Sequence, residues 1–65
     1  MTKIGKYNVI HEDVIIGEGT TIGSFCELEC GTVIGKNCTI QGRIRTGPES
    51  IIEDNVVIKY GTIIT

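Results

Sequence analysis

The chain carries one histidine, His11, and three cysteines, Cys26, Cys30 and Cys38. A histidine can serve as a general base, removing the proton of an amine or hydroxyl as a bond forms. His11 stands alone near the start of the chain, far in sequence from the cysteines. A structural or surface role is therefore the plain reading, and His11 as base the sharper one. The cysteines are odd in number and spaced by four and eight residues. They include no CxxC pair and no flanking histidine, so a metal centre is not expected. Reduced thiols of a cytoplasmic protein account for them. Three singly placed cations, Lys36, Arg43 and Lys59, could meet phosphates of a cofactor, Arg43 and Lys59 foremost. Isolated surface cations more often serve solubility.

Whatever these groups do, a small all-β body must hold them. Sixty-five residues suffice for a single domain spanning 1–65. There are thirteen isoleucines but one leucine, no alanine and no tryptophan, and nine glycines spread along the whole chain. β-Branched residues fit pleated strands, whereas a helical bundle needs Ala, Leu, Glu and Lys. An apolar share of 40% is too high for a disordered tail. No apolar run reaches the ~18 residues of a membrane span, and Met1-Thr2-Lys3 leads into no signal-type segment. A net charge of −2 with Lys and Arg placed one at a time offers no basic stripe for nucleic acid.

A period of six organises the chain. Ile4, Ile10, Ile16, Ile22, Leu28, Ile34, Ile40, Thr46, Ile52, Ile58 and Ile64 follow one another at this step, with Thr46 the only polar member. Glycine follows directly at 5, 17, 23, 35 and 47. Three residues after the aliphatic stand Asp13, Gly19, Gly31, Asn37, Asn55 and Gly61, types that tolerate a positive φ and mark a turn. Six residues accommodate one short strand and one corner. Three such units close a triangular coil of eighteen residues, and successive coils stack as parallel strands ~4.8 Å apart.

The hexads Ile16-Gly17-Glu18-Gly19-Thr20-Thr21, Ile22-Gly23-Ser24-Phe25-Cys26-Glu27 and Ile34-Gly35-Lys36-Asn37-Cys38-Thr39 resemble the hexapeptide repeat of the acyltransferase superfamily. The stretch from Ile16 to Ile58 is most similar to the sugar-nucleotide N-acetyltransferase branch. The resemblance implies a left-handed parallel β-helix of about three and a half coils, usually trimeric. General crossover rules alone would favour the right hand. It also implies acetyl-CoA as cosubstrate of an active enzyme, with no resident cofactor, and a histidine base. Asn8-Val9-Ile10-His11 resembles the opening coil of such enzymes, where a histidine often does no chemistry.

Stacking by eighteen sorts the side chains into columns. Ile4/Ile22/Ile40/Ile58, Ile10/Leu28/Thr46/Ile64 and Ile16/Ile34/Ile52 point inward, and the hydroxyl of Thr46 is expected to bond a nearby carbonyl. Thr21/Thr39/Val57, Val9/Glu27/Arg45/Ile63 and Ile15/Val33/Ile51 point outward, with Glu27 beneath Arg45. The Ile15/Val33/Ile51 face is apolar and flanked by glycine, as an interaction surface would be. A chain this short is marginal alone, so a homotrimer built on that face is expected. The last strand, at Ile63-Ile64-Thr65, has an unpaired edge that suggests end-to-end stacking or a longer parent chain. No loop encloses an acceptor and no coil of cofactor-binding type is present, so acetyl transfer by these 65 residues alone is not expected. The alternative is a non-catalytic trimerisation module. An ice-binding face is excluded because the Thr21/Thr39 column is paired with Gly23, Gln41 and Lys59 instead of further threonines.

Overall fold

A computed structural model describes residues 2–64. Met1 and Thr65, which bound the expected domain and its open last strand, lie outside the described residues. Each hexad contributes a two-residue strand, the first residue facing out and the second in. The strands are β1 (Lys3–Ile4), β2 (Val9–Ile10), β3 (Ile15–Ile16), β4 (Thr21–Ile22), β5 (Glu27–Leu28), β6 (Val33–Ile34), β7 (Thr39–Ile40), β8 (Arg45–Thr46), β9 (Ile51–Ile52), β10 (Val57–Ile58) and β11 (Ile63–Ile64). They form three parallel sheets, ordered β1-β4-β7-β10, β2-β5-β8-β11 and β3-β6-β9. Partners lie eighteen residues apart, as in Ile22↔Ile40, Leu28↔Thr46 and Val33↔Ile51. Three strands make one turn, so the eleven complete between three and four turns of a parallel β-solenoid. Among the described residues no helix is long and apolar enough to cross a membrane.

The core follows the expected columns through the middle coils. Ile22, Leu28, Ile34 and Ile40 are fully buried, and Ile52 and Ile58 nearly so. Ile4 departs from this: it is 49% exposed. Its strand is outermost at one end of the first sheet, while Ile58 on the strand at the other end is 8% exposed, so the two ends of the stack are covered unequally. Ile10, Ile16 and Ile64, also on outermost strands, are half-buried.

A second inward column lies at the corners. It consists of Thr20, Cys26, Thr32, Cys38 and the larger Ile44, all buried. Its polar atoms are satisfied between coils. Thr20 Oγ1 donates to the Gly35 carbonyl at 2.6 Å and accepts the Cys38 N–H at 3.1 Å. Among the described residues the Thr46 hydroxyl bonds no carbonyl, contrary to expectation. Its hydroxyl lies 2.9 Å from the Thr32 hydroxyl and accepts the Glu29 N–H at 3.2 Å, so two facing hydroxyls supply what one carbonyl was expected to.

The turns sit at the expected step, and coil stacking overrides residue preference there. Gly19, Gly31, Asn37, Asn55 and Gly61 take positive φ as expected. Tyr7, Phe25, Arg43 and Glu49 also do so, at φ 62, 62, 51 and 59. Asp13 does not. Its turn closes with the Val14 N–H on the His11 carbonyl, as a type I turn can without positive φ. The Asp13 carboxylate instead accepts the Gly31 N–H of the next coil at 3.0 Å. Gly23 is required by proximity, since a Cβ there would run into the backbone carbonyl of Gln41.

Candidate functional site

His11 directly follows β2 and opens the corner between the second and third sheets. Its N–H donates to the Leu28 carbonyl at 3.2 Å, which brings it level with Glu29 on the next coil. His11 Nε2 lies 3.8 Å from Glu29 Oε1. Arg45 projects outward from β8 and approaches Glu27 Oε1 at 3.6 Å and Glu29 Oε2 at 3.7 Å. The expected Glu27–Arg45 stacking is thus present as part of a four-membered chain, His11–Glu29–Arg45–Glu27. Glu29 was missed by sequence reasoning, although its signal was available: it stands eighteen residues after His11.

This cluster has a definite chemical capacity and clear bounds. A carboxylate beside an imidazole can orient the ring and stabilise its protonated form, as in a base–orienter pair. At 3.8 Å the two form an ion pair when His11 is protonated, not a short hydrogen bond. Single ligand atoms of His11, Glu27 and Glu29 also lie within 4.8 Å of one another, a donor set of one nitrogen and two oxygens. Arg45 already balances both carboxylates, so a cation entering there would have to displace it. Alongside runs a shallow, largely apolar cleft lined by Glu29, Arg45, Gly47, Pro48, Ile63 and Ile64.

The remaining candidates lie elsewhere. Arg43 and Lys59 are both exposed on the corner between the first and second sheets, whereas His11 opens the next corner. Lys36 occupies the third corner, where its N–H donates to Asp54 Oδ1 at 2.7 Å. Cys30 is exposed, and Cys26 and Cys38 are buried thiols. Cys38 Sγ donates to the Glu53 carbonyl at 3.0 Å. On the third sheet Ile15, Val33 and Ile51 form one outward ladder. Ile15 is 61% exposed and Ile51 75%. Beside the ladder Gly17 lies against Gly35, where an added Cβ would come within 2.6 Å of backbone.

Comparison with known proteins agrees with this architecture. A family model described as bacterial transferase hexapeptide (six repeats) matches residues 1–30. No curated protein matches the chain. The matched stretch contains β1 through β5, and β6 through β11 continue the same six-residue period without insertion. Residues 1–30 therefore carry the bacterial transferase hexapeptide repeat, wound here as a parallel β-solenoid.

Proposed function

We propose that the chain is an acyltransferase-type hexapeptide solenoid whose working unit is a homotrimer, and that as 65 residues it acts as a scaffold without transferring acetyl groups. The observation that carries this reading is the Ile15/Val33/Ile51 ladder. It is an aliphatic strip on one face of a very small domain, with Ile15 and Ile51 exposed and Val33 half-buried between them. Three copies around a threefold axis would each cover a neighbour's strip, closing the assembly and adding buried apolar area that the single prism lacks. The sugar-nucleotide N-acetyltransferase branch is the favoured ancestry, with acetyl-CoA the donor in any active form.

The lack of turnover in this reading has a geometric basis. Transfer requires donor and acceptor held in near-attack geometry beside a base. His11 is 42% exposed at its side chain, and its partner Glu29 is also engaged by Arg45. Val33→Asp should place an unpaired charge in the seam and dissociate or unfold the protein. Light scattering is expected to give the trimer mass for the parent and a lower mass for the variant, and a monomeric parent at micromolar concentration refutes the assembly. A thiol-release assay with acetyl-CoA and several amino-sugar nucleotides is expected to show no turnover. Turnover that vanishes in His11→Ala would make His11 the base and overturn the scaffold reading.

A further inference from the structure

Strand alternation and coil stacking together gather three metal-ligating side chains that the sequence keeps apart. Glu27 and Glu29 flank the inward Leu28, so both project to the same side of the chain. His11 stands eighteen residues before Glu29 and is set level with it on the preceding coil. The backbone beneath each ligand is fixed between coils. The His11 N–H donates to the Leu28 carbonyl at 3.2 Å, and the Glu27 N–H to the Ile44 carbonyl at 2.8 Å. The Glu29 N–H donates to Thr46 Oγ1 at 3.2 Å. The cysteine spacing gave no reason to expect a metal, and no local motif announces this set. Only the eighteen-residue stack assembles it.

The donor atoms are close to the spacing a small ion needs. One imidazole nitrogen and two carboxylate oxygens lie within 4.8 Å of one another, with His11 Nε2 and Glu29 Oε1 3.8 Å apart. A tetrahedral ion with bonds of about 2.1 Å holds its ligand atoms about 3.4 Å apart. The side chains must therefore draw in by up to about 1.4 Å. Their side chains are 42%, 43% and 22% exposed for His11, Glu27 and Glu29, which leaves room for that adjustment. Arg45 is the competing cation, and it is loosely held. Its contacts of 3.6 and 3.7 Å exceed the ~2.7–2.9 Å of a charge-assisted hydrogen bond, and its side chain is 63% exposed. A divalent ion matches the charge of both carboxylates and also engages the imidazole lone pair, which a guanidinium cannot accept from.

We propose that His11, Glu27 and Glu29 bind a divalent transition-metal ion of the zinc type, in exchange for Arg45, and so fasten the coil of β2 to the coil of β5. One imidazole among two carboxylates suits zinc, whereas magnesium and calcium take sets made of oxygen alone. Water completes the shell on the open side. The ion would staple the end of the stack where Ile4 is exposed and Ile10 only half-buried, and small domains gain most from such a link. All three ligands come from one chain, so the site needs neither acyl transfer nor the trimer seam.

The test is calorimetric titration of the full chain, with thiols kept reduced, against zinc, magnesium and calcium chlorides. Zinc should saturate at one ion per chain, with magnesium and calcium weaker by about tenfold or more. His11→Ala, Glu27→Gln and Glu29→Gln should each weaken zinc by about tenfold, and Arg45→Gln should tighten it several-fold. Cys30→Ser should change nothing, although Cys30 is an exposed thiol. Zinc should also raise the thermal midpoint of the parent more than that of His11→Ala, which has the same cysteines. His11→Ala, at an exposed position, retains the test should Glu29→Gln misfold. Absence of saturation overturns the proposal. So does calcium binding as tightly as zinc, weaker binding by Arg45→Gln, or loss of binding in Cys30→Ser. One ion per three chains would put the site at an interface and overturn it too.

Discussion

Truncating the same residue type at two heights of one column tests the stacking directly. Ile40 is 1% exposed, enclosed between Ile22 and Ile58, whereas Ile4 in the same column is 49% exposed. Ile→Ala removes three carbons, about 2.4 kcal/mol of transfer free energy where burial is complete. At Ile40 the surrounding coils cannot collapse independently, so a cavity term raises the total to about 3–5 kcal/mol. At Ile4 about half of the transfer term applies and the site is open on one side, giving about 1 kcal/mol. With a urea dependence of about 1 kcal/mol/M for so small a domain, the midpoint should fall by about 3 M or more for Ile40→Ala and about 1 M for Ile4→Ala. Urea unfolding followed by circular dichroism, at one fixed protein concentration because assembly would shift the midpoint, reads this directly. If Ile40→Ala fails to fold, the Val variants give the same ordering on a smaller scale, about 1 kcal/mol at Ile40 and less at Ile4. Equal shifts at the two positions, or a larger one at Ile4, would refute the eighteen-residue stacking of this column.

Two further outcomes follow from close approach and from buried polarity. Gly23→Ala drives a methyl group into the Gln41 carbonyl of the next coil and should cost about 2–3 kcal/mol. Gly61→Ala, in open space at φ 81, should cost only the left-handed backbone penalty of about 1 kcal/mol. Thermal melts that rank them in the opposite order contradict the coil contact at Gly23. Thr46→Val keeps the side-chain shape but leaves the Glu29 N–H without its acceptor, while the Thr32 hydroxyl keeps only the Gly47 carbonyl at 3.4 Å, for a loss of about 1–3 kcal/mol. A neutral Thr46→Val variant would show that the Thr46 hydroxyl contributes nothing.

The hexad period by itself determined the strands, their parallel pairing and the inward column, because an unbroken step of six leaves a single register in which every aliphatic can be buried. Ile22, Leu28, Ile34 and Ile40 lie where that arithmetic puts them. It also placed the Ile15/Val33/Ile51 ladder on one face and Glu27 under Arg45. The depth of burial was decided by the stack, since Ile4 and Ile58 share type and step at opposite ends of one sheet yet are 49% and 8% exposed. Turn conformation was likewise tertiary. Local preference favoured Asp13 over Tyr7, Phe25 and Arg43 for positive φ, whereas hydrogen bonds from coil to coil hold the corner backbone in a geometry that residue type does not choose. The candidate site divides along the same line. His11 could be named from sequence, but its neighbours Glu29 and Arg45 became visible only when residues eighteen and thirty-four positions away were brought onto adjoining coils. The cluster of His11, Glu27 and Glu29 arose in the same way, because residues remote along a chain become neighbours only when coiling sets one above another.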